Sequence, residues 1–253
     1  MSDLRFYVSN VKLVKADGST TALVLDANDN FNATKGGDTV TLIDLEDKTG
    51  TCVGTTATNS TIKGTVPAGD YVGVKMTLGV PLAMNHTDHT ADLSVTPAVI
   101  NNAVHPGMAW SWAAGRKFTK IEVMDAGLAS EPAQPTWTAP VFMVHLGSTG
   151  CTLSQASSQD TADTCARPNR VDYITFSQFD PATQQIALDV RALLAGNDAT
   201  KNGGGAAGCM SGQTDPECPA LFTNLGLDND TGKAKTGLTQ TVFKVINKAA
   251  SAK

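Results

Sequence analysis

The sequence predicts an all-β chain: a β-sandwich or barrel-like antiparallel domain with long disulfide-tied loops and a few short helices. Three observations carry that expectation. Short apolar runs with alternating periodicity recur along the chain, turn residues separate them at close spacing, and helical periodicity is confined to brief stretches. With 253 residues, of which 41% are hydrophobic and 17% charged, the chain can bury a sizeable core. Sandwiches and barrels of this length are commonly single units, so one domain over 1–253 is expected.

The elements follow in order. "LRFYVSN" alternates, placing Leu4, Phe6 and Val8 on one side of a strand. Asp17-Gly18 turns the chain into a second strand, and "DTVTLIDL" follows. "STIKGTVPAGDYVGVKMTLGVP" predicts a hairpin that turns at Pro67, Ala68, Gly69 and Asp70, with Val72, Val74, Met76 and Leu78 sharing a face. "GMAWSW" and "KFTKIEVMD" are expected to pair around "AAGR". "TAPVFMVHLG", "NRVDYITFSQF", "QQIALDV" and "TQTVFKVIN" supply later strands; "DVRALLAG" and "DPECPALFTNLG" supply short helices bounded by Gly and Pro. "KNGGGAAG" reads as a surface loop.

A formal charge of −5, spread without long runs of one sign, argues against a nucleic-acid partner. No stretch is long and apolar enough to span a bilayer, and "MSDLRFYVSN" lacks the basic and apolar regions of a signal peptide. The cysteines point to an oxidising compartment. Cys151 and Cys165 bracket one polar loop, Cys209 and Cys218 another, and such loops are what disulfides tie down. A mature periplasmic or secreted protein is therefore expected. Cys52 is left over, either buried and free or a sign of another pairing.

Catalytic motifs are absent: there is no GxSxG elbow, no phosphate-cradling glycine loop and no HExxH helix, so no enzyme is expected. "LDANDNFN" sets Asp26, Asn28 and Asn30 at alternate positions, as in a calcium loop. It has Phe31 where an EF-hand needs glycine, which leaves calcium only as a site of another kind. The four histidines, His86, His89, His105 and His145, carry more. Ala139, Val141, Met143 and His145 are spaced to share a strand face, and histidines with methionines near loop mouths favour copper among transition metals. In "HPGMAWSWAAGRKF", Met108, Trp110 and Trp112 are spaced to share one strand face, either as core or as exposed chemistry. Exposed tryptophans also suit a carbohydrate- or peptide-binding module, the alternative function.

The succession "TLIDLEDKTGTC", "GTVPAGDYVGVKMTLGVPLAMNH", "MAWSWAAGRKFTKIEV", "FMVHLGSTGC", "CARPNRV" and "GCMSGQTDPEC" closely resembles the MbnP family of copper-binding proteins, the four-Cys members of "metallo-mystery pairs". The resemblance implies a periplasmic or secreted protein that binds copper, as Cu(I) or Cu(II), in copper acquisition or homeostasis. It also implies a partner: MbnH, a di-haem, peroxidase-like protein that oxidises a tryptophan to kynurenine. The more distant copper proteins MopE and CorA combine histidines with a kynurenine. Carried onto this chain, the resemblance marks His86 and His145 as metal ligands, with His105 and Met108 in reserve. It marks Trp110 and Trp112 as candidates for modification, Trp110 being preferred, and Cys151, Cys165, Cys209 and Cys218 as the four cysteines. Arg116 in "GRKF" departs from the family's frequent tyrosine, which removes an aromatic hydroxyl from that position.

Overall fold

The computed structural model describes residues 1–111, 113–124, 141–152, 164–201 and 203–249. Trp112, Trp137 and Ala139 lie outside the described residues.

The strand Asp3–Lys15 organises the main sheet by lending each edge to two neighbours in succession. On one edge it pairs first with Thr119–Met124, at Asp3 to Phe6, and then with Tyr71–Leu78, from Val8 onward. On the other edge Asp38–Asp44 lies against Arg5 to Ser9, and Thr20–Ala22 against Lys12 to Val14. The changeover falls at Asn10, which adopts φ 50°, a left-handed conformation that asparagine tolerates better than most residues. Its amide secures the spot, donating to Asp38 Oδ1 at 2.9 Å and accepting the Thr39 N–H at 2.9 Å. Farther out, Val171–Phe176 lies beyond Tyr71–Leu78, Asn32–Lys35 beyond Asp38–Asp44, and Val141–Val144 beyond Thr119–Met124. Gly208–Cys209 closes that last edge in parallel.

Helix is limited to short pieces, among them Val190–Leu193 and Cys218–Asn224, so the expected all-β architecture holds. The strands expected in "QQIALDV" and "TQTVFKVIN" form, and they pair with each other, Gln184–Leu188 against Phe243–Asn247. Two local expectations are corrected. The predicted hairpin does not form: Gly64–Thr65 pairs with Val24–Leu25, and Tyr71–Leu78 joins the central strand instead. Likewise Ala109–Ser111 pairs with Gly115–Arg116 across a tight turn, while Thr119–Met124 enters the main sheet.

Alternation in the first strand does not divide core from solvent, because both faces of the sheet are covered. Phe6, on the face with Val8, packs edge-on against Phe243 at 5.9 Å. On the opposite face the Tyr7 hydroxyl donates to the Val99 carbonyl at 3.0 Å. Asp3, Arg5, Asp44, Lys120 and Glu122 share that second face through their cross-strand pairing, and all are buried. The segment from Gly79 to Phe118 crosses it. A polar sheet face thus meets the stretch of chain that holds three of the four histidines.

Candidate metal centre

His86 is placed by a buried arginine. Pro81 opens a one-turn helix, Leu82–Asn85, after which Asn85 and His86 turn inward. Arg116, with no exposed surface, donates to the Ile100 carbonyl at 2.9 and 3.1 Å, to the Asn85 carbonyl at 3.0 Å and to the Thr87 carbonyl. Burial lowers its guanidinium to about 10, so it stays charged at neutral pH. The Arg116 main-chain N–H donates to Asn85 Oδ1 at 3.0 Å, which turns the Asn85 Nδ2 toward His86 Nε2, also at 3.0 Å. Because that amide can only donate, Nε2 must be the acceptor and carry the lone pair. Gly115 completes the fit: at φ +83° a Cβ would sit 2.9 Å from the Asn85 amide and 3.0 Å from His86 Cε1.

Sulfur adjoins the imidazole. Cys151 and Cys165 lie directly opposite one another in the paired strands Thr149–Thr152 and Thr164–Arg167, and they are joined as a disulfide. Cys165 Sγ is 3.5 Å from His86 Nε2, and the three donor atoms of His86, Cys151 and Cys165 lie within 4.8 Å of one another. The second disulfide, Cys209–Cys218, is buried and ties the sheet edge to the helix Cys218–Asn224. Both bridges match the expected pairing. Cys52 is free and half-buried.

Trp110 shares a cavity with Cys151, one cysteine of the first disulfide. The pairing of Ala109–Ser111 with Gly115–Arg116 shifts register at this residue, and such irregularities re-aim a side chain. Its ring lies over Gly147, where a Cβ would come within 2.4 Å of it. Lys117 Nζ stands 6.0 Å from the ring centroid. Trp110 lines a cavity of about 440 Å³ together with Cys151, Gly150, Ala114 and Met210.

The remaining candidates sit elsewhere on the buried face. His145 Nε2 donates to Glu122 Oε1 at 2.8 Å, and Lys120 Nζ joins the same oxygen at 2.8 Å and Asp3 at 2.5 Å. Burial resists the Glu122 charge, yet the bonds from His145 and Lys120 outweigh it and take the carboxyl down to about 2. Burial lowers the His145 imidazole, which keeps it neutral, and its Nδ1 has no hydrogen-bond partner among the described residues. His105 donates from Nε2 to the Asn30 carbonyl at 2.5 Å, while its Nδ1 lies 4.0 Å from Asp44 Oδ2. Met108 packs into the core at 2% exposure. In the loop considered for calcium, Asn28 Oδ1 and Asp29 Oδ1 accept the loop's own amides.

A family model for MbnP matches residues 1–211. The chain belongs to the MbnP family. A solved structure, MbnP from Methylosinus trichosporium, is 34% identical and superposes with a TM-score of 0.80, covering 98% of this chain and 87% of that one. No curated protein matches the chain.

In this MbnP chain the donors suit the copper that the resemblance implies. His86 offers a lone pair at Nε2. His145 offers a buried Nδ1 whose opposite nitrogen is fixed to a carboxylate, the arrangement that commonly orients metal-bound imidazoles. Met210, which sequence reasoning passed over in favour of Met108, brings a soft thioether to the Trp110 cavity. Its only mark in the sequence is its place beside Cys209. His86 and His145 do not fall in one donor group in this conformation, since the His86 group is completed by the two cysteines.

Proposed function

We propose that the chain is a non-enzymatic copper-binding protein of the periplasm or extracellular space. Its centre lies between His86 and Trp110, with His145 as the second imidazole and Trp110 converted to kynurenine by a di-haem, MbnH-type partner. One observation supports this most: Trp110 and Cys151 line one cavity, and the disulfide mate of Cys151 abuts the His86 lone pair at 3.5 Å.

The conversion balances with peroxide as oxidant. Two equivalents deliver one oxygen each to indole C2 and C3 as the bond between those carbons breaks, with two waters released, and hydrolysis of the resulting N-formyl group then releases formate, leaving an aromatic amine and a ketone. High-valent haem in the partner would draw the electrons, so contact with the indole itself is not required. The protein's own residues set the stage. Gly147 admits the ring, Arg116 and Asn85 hold His86 with its Nε2 lone pair on the Asn85 amide until a metal takes it, and Glu122 holds the Nε2 proton of His145 so that Nδ1 stays available.

Co-expression with the partner followed by peroxide should shift the Trp110 peptide by loss of one carbon and gain of one oxygen, read by peptide mass spectrometry. Copper retention against a chelator should then fall in Trp110→Phe and in His86→Gln. An unmodified Trp110 beside an active partner, or full copper retention in both variants, would overturn the reading.

A further inference from the structure

We infer that the Cys151–Cys165 bridge masks a reduction-dependent Cu(I) site in which His86, shared with the centre proposed above, and the two freed sulfurs form a three-donor set. The donors are assembled already. Their atoms lie within 4.8 Å of one another, with Nε2 and the nearer sulfur at 3.5 Å. Opening the bridge need not scatter them, because Cys151 and Cys165 face each other across paired strands whose register is also fixed by Thr149 against Arg167. Arg167 reinforces that pair, donating to Thr149 Oγ1 at 3.1 Å and to the Ser211 carbonyl at 2.7 Å. His86 is brought to the sulfurs by the turn that Arg116 anchors, which does not depend on the bridge, and Cu(I) displaces the Asn85 amide from Nε2.

The two bridges differ in access. Cys151 lines the open cavity and both cysteines of its bridge are half-buried, whereas Cys209 and Cys218 are at 2% and 0% exposure. A mild dithiol therefore reaches the first bridge before the second. In that step the dithiol closes its own disulfide and delivers two electrons and two protons, leaving two thiols. Cu(I) then displaces both thiol protons to solvent and is held by two thiolates and one imidazole. Such soft donors select Cu(I) and zinc, and three of them fall short of the closed tetrahedron that structural zinc requires.

The site is independent of tryptophan oxidation, so its test uses protein made without the partner, in a Cys52→Ser background that removes the free thiol. Brief anaerobic treatment with dithiothreitol, desalting and titration with Cu(I) against a chromogenic chelator should reveal one equivalent held more tightly than any the oxidised protein binds. X-ray absorption should show sulfur in the copper shell. In the reduced state Cys151→Ser, Cys165→Ser and His86→Gln should each lose that equivalent. Reduced wild-type protein is the matched control, since it too lacks the bridge, and circular dichroism verifies that it stays folded. Equal Cu(I) binding before and after reduction, retention in the Cys165→Ser variant, or unfolding on reduction would overturn the proposal. Tighter binding of zinc than of Cu(I) would overturn the assignment of the metal.

Discussion

His86 and His145 are both buried histidines of the same protein face, held in opposite ways. A neutral amide holds His86, beside sulfur, in the covering segment. A full carboxylate holds His145, on the sheet, within a network of Lys120, Asp3 and Arg5. The amide occupies the His86 lone pair and must be displaced by any metal. The carboxylate occupies the other nitrogen of its histidine, which leaves the lone pair open and more basic. Placement at His86 therefore depends on hydrogen bonds to backbone carbonyls, whereas readiness at His145 depends on charge, and the two can be broken separately.

The largest effect is expected at Arg116. Replacing it with methionine keeps much of the volume but strands the carbonyls of Asn85, Thr87 and Ile100 away from water. Leaving such groups unpaired should cost about 4 kcal/mol, read as a lowered urea midpoint. The Asn85 to Thr87 turn should loosen with it, so copper retention falls as well. A variant as stable as the parent would show that the guanidinium does not anchor His86.

The charge-held side is tested at Glu122. Its folded carboxyl titrates at about 2, below the usual 4.5, so it contributes stability that is fully present above about 4.5 and is lost as pH falls toward 2. Glu122→Gln should lower stability near neutral pH by about 3 kcal/mol, a difference that closes over that acid window. His145 contributes separately. Burial holds its folded imidazole below the usual 6.5, so the unfolded chain takes up a proton first and stability falls as pH drops through the usual histidine range, more steeply in the variant because Glu122 opposes that lowering. Denaturation measured across pH distinguishes the two, since only the Glu122 contribution disappears with the substitution. Parallel curves over the acid limb would mean that Glu122 is not ionised by its partners.

These two regions also show what was legible in the sequence. Strands were legible from alternation, and the pairing of the four cysteines from the loops they bracket; motif blocks single out His86, His145 and Trp110. Partners were not. Tyr71–Leu78 looks like half of a hairpin, yet the long first strand offers it an edge, and Gly73 lets Val171–Phe176 close in to where a Cβ would lie 2.1 Å from the Phe176 carbonyl. Arg116 looked like the mere loss of a tyrosine. Its role depends on carbonyls 16 to 31 residues away in the chain, which no local motif encodes. The polar face of the sheet was hidden for a related reason: Arg5 and Asp3 alternate with apolar residues as solvent-facing residues would, and only the covering segment reveals that they are buried.

The smallest expected change sharpens the same comparison at Met210, where Leu conserves volume and removes only the sulfur. Such swaps cost less than about 1.5 kcal/mol, so the unfolding midpoint should barely move. A thioether is a soft donor and prefers Cu(I), whereas imidazole and an aromatic amine also serve Cu(II). If Met210 helps to hold metal in the cavity it lines with Trp110 and Cys151, Met210→Leu should weaken Cu(I) retention and leave Cu(II) retention nearly unchanged, with the oxidation state set before each competition. Equal weakening of both would point to a change in cavity shape. No change in either would confine the centre to the imidazoles and Trp110, making the sulfur side of the cavity packing alone.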